Sequence, residues 1–157
     1  MTVRHPLILA LASGFLFGCA GVGPLPTPSG NPEVTVNSAN VKHIKELLVA
    51  NLASNGFAVQ QDTEYMLGAS KPMEGSGAVL YQAALGNAYS SQPQMNVSLT
   101  IAPLGSSTKV YGRISVGMQG AFGQNQGTDL THGKAGHELQ AMLDQTKTQI
   151  DYKSPTH

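Results

Sequence analysis

The sequence predicts an α+β fold, a two-layer sandwich with two or three helices on one face of a mainly antiparallel sheet. Three observations predict it. Runs of apolar–polar alternation come in pairs separated by turn residues, longer segments carry apolar residues at helical spacing, and the elements follow in the order β-α-β-β-(α)-β-β-α.

Taken in order, Glu33 to Val36 is a short β-like run. Ser38 or Asn40 then stands where an N-cap belongs, ahead of a helix from Val41 to Asn55. In that helix Val41, Ile44, Leu48 and Leu52 share one stripe with Leu47 beside it, while Lys42, Lys45 and Glu46 lie mainly off it. Gly56 follows at the position of a left-handed C-terminal cap. Phe57 to Thr63 alternates with Phe57 and Val59 on one face, and Tyr65 to Lys71 places Tyr65, Leu67 and Ala69 together. A turn near Asp62 to Glu64 makes these a hairpin, and Pro72 ends it.

Met73 to Tyr89 mixes Val79, Leu80, Tyr81, Ala83 and Ala84 with three glycines, each costing about 1 kcal/mol where it falls inside a helix. A helix from Ala78 to Asn87 is expected there. The clearest alternation is Asn96 to Ala102, with Val97, Leu99 and Ile101 on one face. Lys109 to Gln119 answers it with Val110, Ile114, Val116 and Met118, and the two form a long hairpin. A Gly- and Gln-rich stretch, Gly120 to Gly127, separates this hairpin from a helix of Thr131 to Asp151, whose buried stripe is Leu139, Met142, Leu143, Thr146 and Ile150.

Hydrophobic residues make up 41% of the 157 and charged ones 11%, with nine basic against nine acidic side chains. That balance excludes a cationic nucleic-acid binder and a charge-extended disordered chain. One thiol, Cys19, makes no internal disulfide.

The N-terminus carries Arg4 and then an apolar run from Leu7 to Phe17, the charged and hydrophobic regions of a secretory signal. The run is shorter than the roughly 20 apolar residues that cross a bilayer. It ends in Leu16, Phe17, Gly18 and Cys19, and this resembles the lipobox of bacterial lipoproteins, with leucine at −3, a small residue at −1 and cysteine at +1. Phe17 at −2 is bulkier than that family usually carries. The resemblance implies cleavage between Gly18 and Cys19, acylation of Cys19, and attachment to a membrane through its acyl chains. Ala20 at the following position implies the outer membrane, facing the periplasm, in a Gram-negative cell. Ala20 to Pro32, rich in Gly and Pro, is expected to be a tether that holds the body off the bilayer. The expected division is therefore a signal peptide (1–18), a lipidated cysteine with its flexible tether (19–32), a single domain (33–152) and a disordered tail (153–157).

From the first helix through Gly56, Phe57 and Val59 to Leu67, Gly68, Ala69, Ser70 and Lys71, the pattern loosely resembles small envelope lipoproteins, including accessory lipoproteins of outer-membrane assembly machines. The likeness implies a fold and transfers no functional residue.

Residues that carry chemistry are sparse. His132 and His137, with Asp129 and Glu138, form the only candidate metal cluster, but histidines five apart point in different directions on a helix, so they read as a polar helix start. Gly117, Gly120, Gly123 and Gly127 lack the Gly-Lys-Ser/Thr of a phosphate loop, and Ser90 and Ser91 lack the Gly-x-Ser-x-Gly elbow. Tyr81, Tyr89 and Phe122 read as core or rim packing rather than as anchors for a partner. No catalytic residue, metal or cofactor is expected. The expected activity is that of a non-enzymatic accessory or interaction module of an envelope complex, docking through a sheet edge or the Gly/Gln-rich loop. The alternative is a periplasmic binding protein for a small apolar ligand or lipid, held between sheet and helices.

Overall fold

A computed structural model describes residues 23–86, 90–120 and 123–153. The leader, Cys19, Tyr89, Phe122 and the last four positions lie outside the described residues. The elements are β1 (Glu33–Val36), α1 (Val41–Ser54), β2 (Ala58–Asp62), β3 (Met66–Pro72), α2 (Gly75–Leu85), β4 (Gln94–Leu104), β5 (Ser107–Gln119), β6 (Asn125–Asp129) and α3 (Lys134–Lys153). The fold is α+β, with one antiparallel sheet of six strands and three helices.

The sheet runs β1-β5-β4-β3-β2, and β6 also pairs with β5. β1 occupies the Thr108–Tyr111 part of the β5 edge, and β6 the Ser115–Gln119 part. The interval between them is closed from two directions. The Gly112 amide donates to the Pro32 carbonyl at 2.7 Å, and the buried Ile114 amide donates to the Thr131 hydroxyl at 3.2 Å. Thr131 thus supplies by side chain the partner that neither short strand reaches, since a buried N–H left without one is costly.

The core follows from the two periodicities. Alternate residues Val97, Leu99 and Ile101 of β4, Val110 and Ile114 of β5, and Leu67 and Ala69 of β3 cluster with Ile44, Leu48 and Leu52 of α1 and with Leu139, Met142, Leu143 and Ile150 of α3. α2 contributes nothing to that cluster among the described residues. Within the α1–α3 contact, buried Asn51 donates to the Thr146 hydroxyl at 2.7 Å, and that hydroxyl donates to the Met142 carbonyl. At the end of α1, Gly56 takes φ +80° and its amide bonds the Ala53 carbonyl, the left-handed stop that its place in the sequence predicts. Asn40 is the N-cap, its side chain accepting from the His43 amide.

Five expectations are corrected. The Gly/Gln-rich stretch is not wholly a connection, because Asn125–Asp129 pairs with β5 as β6. Val59 is not buried as Phe57 is: it stands opposite buried Ala69 but on the outermost strand of the sheet, where it stays 37% exposed. α2 starts at Gly75 rather than Ala78, and α3 starts at Lys134 rather than Thr131.

The last correction concerns the tether over its described part, 23–32. These residues form no helix or strand, as their glycines and prolines predict, yet they are fastened to the body. Leu25 is 5% exposed and Pro32 is buried. The Gly23 carbonyl is 2.8 Å from His137 Nε2, the Gly30 amide bonds the Thr27 carbonyl, and Ser29 donates to the Glu33 carboxylate at 2.6 Å. Gln140 on α3 then clamps Glu33 through both its backbone amide and its carbonyl. The segment is a strap, not a spacer.

Candidate functional site

The residues singled out as metal or catalytic candidates are placed apart and given separate tasks. Asp129 accepts the Thr131 amide at 2.7 Å. Hydrogen bonds from the Thr131 side chain and backbone, helped by the nearby His132 and Arg113 charges, hold its carboxyl below the usual range against the opposing effect of burial. His132 is exposed, Glu138 faces Lys134 one turn away at 3.7 Å, and His137 meets the strap. Among the described residues no three His, Cys, Asp or Glu side chains are grouped to hold a metal. Ser91 is committed to β5, its hydroxyl accepting from the Gln119 amide at 2.8 Å. Gly117 and Gly127 face each other in the β5–β6 ladder.

The one buried carboxylate among the described residues, that of Glu33, ties the strap to the sheet. Burial raises the Glu33 carboxyl, but the Ser29 hydroxyl and the Lys109 ammonium, 3.1 Å away, outweigh it and leave the pKa lowered. Reciprocally, Glu33 raises Lys109. This pair is a structural latch between β1 and β5.

The cavity between α1, α3 and the sheet, lined by Leu52, Phe57, Met95, Ile114 and Leu139, holds about 60 Å³. Ligand pockets run to roughly 300–1,000 Å³. Lys71 closes its rim by lying 4.4 Å over the Phe57 ring.

Two surfaces remain. The first is the outer edge of β2, which pairs only with β3 among the described residues and exposes all five of its side chains. The second is α2. Tyr81 turns inward, its hydroxyl 3.4 Å from the Val116 carbonyl and from the Thr128 hydroxyl. Val79 and Leu80 turn outward at 68% and 69% exposure, with Ala83 and Ala84 exposed beside them. An open groove along this helix is lined by Ala78, Val79, Ala83 and Pro93 among others. Sequence reading found the composition of α2 but not its orientation. The signal available was a helix in which Val79, Leu80, Ala83 and Ala84 share a face while its one aromatic residue, Tyr81, lies off it.

No protein-family model matches the chain, and no curated protein matches its sequence. Among the described residues no helix is long and apolar enough to cross a membrane.

Proposed function

We propose that this chain is the precursor of a lipid-anchored envelope protein, acylated on Cys19, whose body acts as a non-enzymatic docking module for another envelope protein. The observation that carries the docking reading is the open edge of β2. An edge strand presents a row of backbone donors and acceptors that a second chain extends by adding a strand. The shift at Gln60 limits that edge to a short, twisted stretch, so a partner segment must match it and indiscriminate pairing is disfavoured. Val59 gives the stretch an exposed apolar contact ahead of the polar Gln60, Gln61 and Asp62. The anchor reading is supported by Leu16, Phe17, Gly18 and Cys19 at the end of an apolar leader. Ala20 supports an outer-membrane, periplasm-facing location in a Gram-negative envelope.

The test places a photo-crosslinking residue at position 59 of the acylated protein in its native envelope. A discrete crosslinked product is expected, with slowed amide exchange across β2 in the purified complex. With the crosslinking residue moved to position 61, Val59→Lys, which sets a charge on the edge, is expected to abolish the product. Equal crosslinking from position 104 at the far hairpin, or unchanged β2 exchange in the complex, overturns the docking reading. Membrane retention of Cys19→Ser overturns the anchor.

A further inference from the structure

We infer that the outward row of α2 rests on the phospholipid surface of the leaflet that holds the acyl chains, so that the body lies against the bilayer and does not hang below it. The inference rests on the proposed acylation of Cys19.

The chain's charge distribution gives the first argument. No Asp, Glu, Lys or Arg occurs from Gly75 to Thr108 or from Ile114 to Thr128. The fold brings much of those two stretches together. Gln94 pairs with Gly117, Gln119 pairs with Asn125, and Tyr81 reaches Val116 and Thr128. One end of the molecule is therefore built from uncharged residues, with α2 on it. That helix inverts the usual arrangement by placing Tyr81 inward and Val79, Leu80, Ala83 and Ala84 outward. The row itself carries no acidic side chain, exposed Glu74 standing at the N-cap of the helix, and an apolar face of this kind suits the boundary between headgroups and acyl chains.

The second argument is reach. The strap is fastened at Gly23, four residues after Cys19, and four residues span at most about 14 Å when fully extended. The lipid therefore cannot stand far from Gly23. Gly23 meets His137 in the first turns of α3, the chain just before α3 is bonded at Leu130 to Ile114, and Tyr81 contacts Val116 two residues further along β5. The acyl chains thus enter the membrane beside the uncharged end. The opposite end of the long hairpin, with Leu104 and Ser107, is the one directed away.

The absence of tryptophan from the sequence makes the test direct. Leu80→Trp and Leu104→Trp are made separately in the acylated, processed protein and added to phosphatidylcholine vesicles with or without brominated acyl chains. Position 104 is 55% exposed and serves as the matched apolar control. A side chain seated about 5–10 Å into the boundary is within reach of the bromines. The tryptophan at 80 is expected to shift to the blue and lose emission with brominated lipid, and the one at 104 to do neither. Leu80→Asp is expected to leave vesicle binding intact through the acyl chains while raising protease access to the 75–93 segment. If vesicle-bound protein shows water-like emission at both positions, the inference fails and the anchor stands. If mass measurement finds no acyl group on Cys19, the anchor fails and the inference with it. Blue-shifted emission at position 80 before vesicles are added shows that protein, not lipid, covers the row, which also overturns it.

Discussion

A methyl group at Gly136 should destabilise this protein, although helix propensity alone says the reverse. Gly136 is the third residue of α3, where alanine is ordinarily better than glycine by about 1 kcal/mol. A Cβ there would overlap the Thr131 carbonyl oxygen and stand 2.6 Å from its carbonyl carbon. Both are backbone atoms, so no rotamer change relieves the contact and the Thr131 segment must move. That movement withdraws the Thr131 hydroxyl from the Ile114 amide and carbonyl, both at 3.2 Å, and disturbs the Asp129 bond to the Thr131 amide. Leaving the buried Ile114 amide unpaired costs about 1–3 kcal/mol. Overpacking strain adds about 1–3 kcal/mol. Against a propensity gain of about 1 kcal/mol, the net loss for Gly136→Ala is about 1–5 kcal/mol, summed from those terms. Urea unfolding should show a lower midpoint with an unchanged slope. Gly133→Ala is the control, because a Cβ there meets only the Leu130 carbonyl at an ordinary 3.5 Å. A Gly136→Ala protein as stable as the parent, or more so, would refute the close seating of Thr131 on α3.

Three further outcomes follow from the same contacts. Thr131→Val should lose about 1–3 kcal/mol in urea unfolding for want of a partner at Ile114; Thr131→Ser should recover most of it, and equal loss in both variants would assign the effect to the methyl group instead. Because the Glu33 carboxyl is lowered in the folded state, its contribution is fully present above its ordinary value of about 4.3 and is lost as pH falls through the lowered one. Glu33→Gln should therefore be less stable at neutral pH and converge on the parent in acid, whereas parallel pH curves would deny the latch. Leu25→Ala should release the strap, seen as faster amide exchange at Gly30 while the β4–β5 ladder stays protected; equal acceleration in both would mean that the strap and sheet open as one unit.

The parts of the fold that were legible are those where burial imposes a period. The stripe Leu139, Met142, Leu143, Thr146 and Ile150 is buried as its spacing requires, and so is the alternation Val110, Ile114, Val116 and Met118. β6 was not legible because Asn125–Asp129 contains no apolar residue and exists through pairing with the spare half of β5. Its cause lies ten residues upstream, in the length of another strand. The strap escaped notice for a related reason, since a single leucine among prolines and glycines has no period, yet Leu25 and Pro32 suffice to seat it. α3 begins three residues later than its polar lead-in suggests because Thr131 is employed on the β5 edge. Neither the exposure of Val59 nor that of Leu80 is written locally, as each depends on how much of its element the rest of the chain covers.

The two surfaces are compatible because the sheet order separates them. β1 and β6 share one side of β5; the strap bonds β5 at Gly112 in the interval between them, and Tyr81 of α2 contacts Val116 and Thr128. β2 lies at the other end of the order, four strand spacings from β1, which at about 4.8 Å each amounts to roughly 19 Å. Fastening at one edge therefore leaves the other with its backbone groups free. A longer linker would let the body tumble and would average the direction of that free edge. A strap fixed four residues after Cys19, where acylation is proposed, would present it in a limited range of orientations, so part of the orientational cost of the proposed docking would be met beforehand. Loosening the strap should accordingly slow partner capture even in variants whose β2 edge is unaltered.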